Sequence, residues 1–140
     1  MRKSLLKKKI ISVLSGQKLI CLATIQNKKP WVRFVVSHND ELTLYVSSYL
    51  SSRKIKEIRK NPAVHVVVAK DISSFQTSYV QITARAKIRI DKSIRKKYWH
   101  PYMKKYYSGT DDPEYVVIEI KPQHIEYWES EFKQPQIFKP

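Results

Sequence analysis

The sequence predicts a mostly β protein, a small antiparallel β-barrel with α-helices plugging its openings. Three observations lead there. Apolar residues recur with period two through a series of short segments joined by turn-forming residues. One short helical stretch and one longer one interrupt that series. At 140 residues the chain suits a single domain, 1–140, with an N-terminal helix in 1–16 and a tail over 133–140.

The elements follow in order. Leu5, Leu6, Ile10, Val13 and Leu14 fall at helical spacing, predicting an amphipathic helix over residues 3–15 that caps the core rather than lying on a membrane. After Gly16 the period changes. Residues 19–25 are a continuous apolar run, expected as a buried strand with Cys21 as inert core. Asn27-Lys28-Lys29-Pro30 reads as a turn and residues 31–37 as the returning strand. His38-Asn39-Asp40 predicts a second tight turn into a strand over 41–47, where Leu42, Leu44 and Val46 alternate with Thr43, Tyr45 and Ser47. A short helix then opens at Ser51 or Ser52 and stops before Pro62, followed by a valine-rich strand, Ala63–Ala69. From Val80 to Ile90 apolar residues alternate with Gln81, Thr83, Arg85, Lys87 and Arg89, a long strand with one wet face. Residues 92–107 read as helix, ended or kinked at Pro101. Residues 115–121 alternate again, 125–132 form a last strand, and 134–140 form a tail. With only two glycines, the tight corners fall to Asn27, Asn39 and Asp40.

Composition narrows the chemistry. Lys and Arg number 27 against 12 acids, a formal charge of +15, which attracts polyanions and phosphorylated or acidic small molecules. A lone cysteine excludes an intramolecular disulfide and a cysteine-based zinc site, and favours a reducing compartment. No run approaches the ~20 apolar residues of a membrane span, and Lys7, Lys8 and Lys9 interrupt any signal-peptide core, so the expectation is a cytoplasmic protein. His38, His65, His100 and His124 lack metal-ligand spacing, and His65, inside a strand, reads as structural. No nucleophile elbow, phosphate-binding glycine loop or dinucleotide fingerprint is present. Nine tyrosines and three tryptophans interleave with basic strand residues. One reading of them is a stacking platform for single-stranded nucleic acid, a basic barrel without cofactor. The other is that Trp31, Trp99 and Trp128 fill space in a small barrel and a dimer seam.

One stretch is sharper. The short helix opens Ser51-Ser52-Arg53-Lys54, placing two cations where the helix already holds roughly +0.5 charge, at a cost of about 0.3–1 kcal/mol each. Outward backbone N–H groups, hydroxyl donors and two cations make an anion site in three layers. The competing reading is an ordinary capped helix with exposed basic residues.

Placed in order, these segments resemble a known family. A strand with Arg33-Phe34-Val35-Val36 precedes a strand ending Leu44-Tyr45-Val46-Ser47; Ser52-Arg53-Lys54 opens a helix before Asn61-Pro62-Ala63-Val64; a Tyr79-Val80-Gln81-Ile82 strand follows. From Leu19 to Trp128 the chain resembles the pyridoxamine 5′-phosphate oxidase-like family of flavin-binding split barrels, and within it the short general-stress-protein type. The resemblance implies an antiparallel FMN-binding split barrel that dimerises and binds FMN in clefts shared between two chains. Arg33, Phe34, Val35 and Val36 would line the flavin, with Arg33 also reaching the phosphate or ribityl side. Tyr45, Val46 and Ser47 would run along it through backbone and hydroxyl contacts. Ser52, Arg53 and Lys54 would hold the phosphate. Gln81 would approach from the neighbouring subunit, and Trp128 matches an aromatic near the cofactor.

It further implies a flavin-dependent oxidoreductase acting on a small-molecule substrate, with NAD(P)H as a possible electron donor, and neither nucleic acid nor membrane as a partner. Relatives of this fold also bind haem or deazaflavin. Two departures stand out. Thr83-Ala84-Arg85 replaces a frequent glycine in the strand after Gln81, narrowing the cleft. Glu129-Ser130-Glu131-Phe132 replaces the Arg and His that engage substrate in pyridoxamine phosphate oxidases proper, which argues against that particular oxidation.

Overall fold

The computed structural model describes residues 2–140; Met1, the first residue of the expected N-terminal helix segment, lies outside them. In order come α1 (Lys3–Gly16), β1 (Leu19–Gln26), β2 (Lys29–Asp40), β3 (Thr43–Tyr49), α2 (Arg53–Lys60), β4 (Ala63–Ala69), β5 (Tyr79–Arg89), α3 (Lys92–Lys97), a 3₁₀ turn (Pro101–Lys105), β6 (Tyr115–Trp128) and β7 (Gln136–Phe138). The strands pair antiparallel in the order β3-β2-β1-β4-β5-β6-β7, and a β3–β6 pairing closes the first six into a barrel. Closure removes the exposed strand edges that an open sheet this size would carry.

Inward-facing residues of every strand join one core, including Ile20 and Leu22 of β1, Leu44 and Val46 of β3, Val66 and Val68 of β4, Val80 and Ile82 of β5, and Ile118 and Ile120 of β6. Two helices add to it: α1 through Leu6, Ile10, Val13 and Leu14, and α2 through Ile55 and Ile58. The third helical segment departs from the expected plugging arrangement. It lies on the outer wall of β3 and β6, where Met103 and Tyr107 are buried with Tyr115 and Val117 against Tyr45 and Trp99. The helix stops at Lys97, ahead of Pro101, and Pro101 opens the 3₁₀ turn rather than ending or kinking a helix.

Several boundaries differ from the sequence reading for identifiable reasons. Asn27 and Lys28 both hold positive φ, 52° and 62°, forming a two-residue hairpin between Gln26 and Lys29. The second corner lies later than expected. His38, Asn39 and Asp40 belong to β2, and the chain reverses at Glu41, which takes a φ of 54°. Asn39 contributes through its side chain, donating to the Glu41 carbonyl at 3.1 Å. The first apolar run is buried on one face only, so Leu19 and Ile25 are exposed and Cys21 is half-buried on the outer face rather than core. The two expected strands, 115–121 and 125–132, are one strand, β6, which ends at Trp128; Pro122 and Gln123 sit at a bulge where the register with β5 shifts between Thr83 and Ala84. The expected tail forms β7, paired with β6, with Phe138 in the core. Phe138→Ala is therefore expected to cost about 3 kcal/mol of stability by denaturant titration, where a loose tail would cost nothing.

Candidate functional site

Strand alternation splits β2 between two environments. Arg33, Val35 and Ser37 turn inward, while Val32, Phe34 and Val36 turn out. Arg33 brings charge into the barrel wall. Its guanidinium donates to Glu57 Oε1 at 2.8 Å, to Thr24 Oγ1 at 2.8 Å and to the Leu22 carbonyl at 3.3 Å. Glu57, the acid of α2, is 2% exposed. Its Oε1 also accepts from Thr24 Oγ1 at 2.7 Å. Burial alone would raise its pKa, but the Thr24 hydroxyl and the Arg33 guanidinium, aided by Arg53, hold it below the ordinary carboxylate value.

The opening of α2 resolves into two different cations. Arg53 Nε lies 3.1 Å from Glu57 Oε2, an i,i+4 ion pair, although the N–H is not aligned for a hydrogen bond and that oxygen has no hydrogen-bond partner among the described residues. The same guanidinium rests over the Trp31 ring, 4.6 Å from its centroid. Arg53 is thus compensated by the protein itself. Lys54 is not. Its ammonium is partly desolvated, no carboxylate among the described residues is within ion-pair reach, and Nζ contacts Ser52 Oγ at 3.4 Å. Desolvation first, and the nearby Arg33 second, lower its pKa. Ser52 forms no side-chain cap; its hydroxyl lies 3.0 Å from Ser48 Oγ.

Lys54 faces a cleft of about 340 Å³. Phe34, Val35 and Val36 of β2 form one side, and Ser47, Ser48 and Tyr49 of β3 the next. The outer segment closes the far side with Tyr102, Met103, Tyr106 and Tyr107. That segment is tied down by the Tyr49 hydroxyl, which donates to the Tyr106 carbonyl at 2.8 Å, and by Tyr98 stacked on Tyr45 at 4.0 Å. Burial, with Tyr98 next, pushes the Tyr45 hydroxyl well above its ordinary pKa; it donates to Glu119 Oε2 at 3.3 Å.

The structure gathers Phe34, Val35, Val36, Ser47 and Lys54 into this cleft, with Ser52 at its edge. Val46 points into the core, leaving only its backbone for a ligand. Tyr45 lies under the outer segment. Arg33 and Arg53 are engaged by Glu57. Gln81 and Trp128 lie away from the cleft on β5 and β6. Gln81 Oε1 is 2.8 Å from His65 Nε2, and the Trp128 ring stacks on Tyr79 at 5.6 Å, its Nε1 donating to Glu126. Sequence reasoning missed Glu57, Tyr102 and Tyr106. Glu57 carried a signal, an acid four residues after Arg53 on an otherwise basic helix; the tyrosines carried none, because only tertiary folding brings 102 and 106 to β3.

Between the cleft and Gln81 the outer barrel face is apolar. Register aligns Leu19 with Val36, Cys21 with Phe34 and Val67, and Ala23 with Val32. Val32 and Phe34 are 68% and 62% exposed, a contiguous patch of the kind that marks an interaction surface.

The profile of the pyridoxamine 5′-phosphate oxidase family matches residues 6–129. The chain belongs to this family. General stress protein 26 of Bacillus subtilis (strain 168) is 33% identical over 130 residues, covering 93% of both chains. The crystal structure of General Stress Protein 26 from Bacillus anthracis str. Sterne superposes with a TM-score of 0.84 at 30% identity, covering 96% of this chain and 98% of that one. An FAD-binding protein from Mesorhizobium loti, 18% identical, shares the fold at a TM-score of 0.67 over 84% of this chain and 90% of its own. In this member of the oxidase family no helix of the described residues is long and apolar enough to cross a membrane, and no cluster of three or more His, Cys, Asp or Glu among them is placed to hold a metal ion.

Proposed function

We propose that this pyridoxamine 5′-phosphate oxidase-like chain is a homodimeric FMN-binding flavoprotein that acts as an oxidoreductase on a small molecule. The observation that carries the reading is Lys54: a partly desolvated ammonium with no carboxylate partner among the described residues, at the mouth of a cleft and at a helix N-terminus. An uncompensated buried cation is costly, and a bound phosphate removes that cost. The residues fit FMN at both ends. Ser52, Lys54 and the first N–H groups of α2 suit its phosphate; the apolar Phe34 and Val36, with tyrosines opposite, suit a flat aromatic ring.

When bound, the flavin supplies two-electron redox chemistry by hydride transfer. The chain's own groups bind and orient. Lys54 and Ser52 fix the phosphate, and the Tyr45-Val46-Ser47 backbone and the Ser47 hydroxyl guide the ribityl chain. Arg33 acts from behind, raising the electrostatic potential at Lys54 while it pairs with Glu57. No Arg or His follows Trp128 before Phe132, so a phosphorylated pyridoxamine lacks the partners it would need. NAD(P)H is the electron donor we favour, drawn by the basic surface.

The apolar outer face supports the dimer. An isologous pair through β1 and β2 covers Val32 and Phe34 and brings Gln81 and Trp128 toward the opposite cleft. The test is a charge in the middle of that face. Val32→Asp, on that face but outside the cleft lining, is expected to convert the dimer to a monomer in sedimentation and to abolish FMN binding with it. A Val32→Asp monomer that still holds FMN would contradict the shared cleft.

A further inference from the structure

Residues 92–107 are the cover of the cleft, and side chains hold them to the barrel wall. The Tyr115 hydroxyl donates to the Arg95 carbonyl at 2.7 Å, the Tyr49 hydroxyl donates to Tyr106, and Met103 and Tyr107 are buried beneath. A segment anchored this way opens more easily than a strand held by a hydrogen-bond ladder. At its turn lies a stack of three rings. His38 of β2 faces His100 at 3.9 Å and 23°, and Tyr102 lies near-parallel to His100 at 5.9 Å and 19°. The stack runs from the barrel wall to the cleft wall, since Tyr102 lines the cleft.

The surroundings of His38 suit a neutral ring. Its Nε2 is buried with no hydrogen-bond partner among the described residues. The groups facing it are His100, Lys18 ahead of β1, and Tyr45 across the strand pair. The one nearby acid on its own strand, Asp40, is engaged by Lys97 at 3.5 Å. Behind His100 the cover is strongly basic, carrying Arg95, Lys96, Lys97, Lys104 and Lys105. A proton on His38 would find no hydrogen-bond partner for Nε2 among the described residues, and would be repelled by Lys18.

We infer that the His38–His100–Tyr102 stack is a positioning pin holding the cover against the cleft, and that protonation of His38 releases it. Burial, then His100 and Lys18, lower the His38 pKa to about 4, consistent with a ring that stays neutral while pinned. The sign follows. Released, His38 returns toward its ordinary 6.5, so the open form binds the extra proton and acid favours opening between the two values. Between pH 7.5 and pH 5 this linkage multiplies the open population by roughly 30-fold. Loss of flavin from the opened cleft rests on the cofactor reading above; the opening itself does not.

The test is amide hydrogen exchange on the full chain without added flavin, read as protection factors for residues 98–107 against pH. Wild type should lose about 30-fold protection there between pH 7.5 and pH 5, while β4 and β5 amides hold theirs. His38→Phe keeps a flat ring but cannot titrate, so its cover should stay protected across that range. A second readout needs no variant: the NMR titration of the His38 ring in wild type should move with the cover amides and have its midpoint well below 6. Equal pH profiles for wild type and His38→Phe, or a His38 midpoint near 6.5 with a protected cover, would overturn the pin. FMN affinity then addresses the consequence: it should fall more steeply with acid in wild type than in His38→Phe. If neither protein binds FMN, the cofactor reading fails and the exchange result still decides the pin.

Discussion

Lys54→Ala should weaken FMN binding by about 10- to 100-fold while leaving riboflavin affinity almost unchanged. A charged hydrogen bond to phosphate contributes roughly 1.5–3 kcal/mol, which is that span of affinity. Riboflavin lacks the phosphate and so loses nothing. The empty protein should melt at the same temperature as wild type or slightly higher. Lys54 is a partly desolvated cation at the positive end of α2 with no acid against it among the described residues, and its removal relieves both penalties. Arg53→Ala is a different experiment despite being one residue away. It strips the ion pair from Glu57 Oε2, so its flavin effect comes mixed with lost stability. Titration of Lys54→Ala with both flavins is the clean version. Equal losses for FMN and riboflavin would mean that Lys54 shapes the cleft in general.

Arg33→Leu should cost about as much stability as emptying the core at Phe138. It leaves Glu57, 2% exposed, with Thr24 and a misaligned Arg53 as its remaining partners. Removing one member of a buried pair typically costs 3–5 kcal/mol; the residual partners place this one near the low end, about 3 kcal/mol. For a chain of this size that corresponds to a melting temperature roughly 10 °C lower. The deficit should depend on pH. Glu57 in wild type has a depressed pKa, so its stabilising contribution is present above the unfolded carboxylate value and lost as pH falls through the folded one. In Arg33→Leu the buried carboxyl takes up its proton at higher pH. The gap between the two proteins therefore narrows on acidification. Arg33→Leu/Glu57→Leu should recover most of the loss, because the cost lies in the stranded charge rather than in the missing attraction. Thermal melts of the single and double variants at neutral and mildly acidic pH check this.

These effects turn on residues the sequence reveals unevenly. The barrel strands were legible because one wet face forces period two, and Ala63–Ala69 appears with the bounds the pattern implied. What escaped was set by tertiary pairing. Pro122 falls in the gap between the expected strands 115–121 and 125–132, yet the bulge opposite Thr83 and Ala84 absorbs it within β6. A three-residue β7, Gln136–Phe138, is too short to show a periodicity; only Phe138 in the core reveals it. The same division runs through the candidate site. The misplaced cations of Ser52-Arg53-Lys54 were visible as an electrostatic anomaly. That one of them is answered by Glu57 and the other left for a ligand depends on which way each side chain leaves the helix. The cover's tyrosines reach β3 across more than fifty residues of sequence, a placement that no local pattern encodes.

The most direct test of FMN binding is the visible absorption spectrum of the purified protein, taken again after incubation with excess FMN and gel filtration. An FMN-binding dimer should show flavin bands that stay with the dimer peak at one equivalent per chain. A protein that elutes colourless after FMN, and instead binds nucleic acid with an affinity falling steeply in salt, would contradict FMN binding.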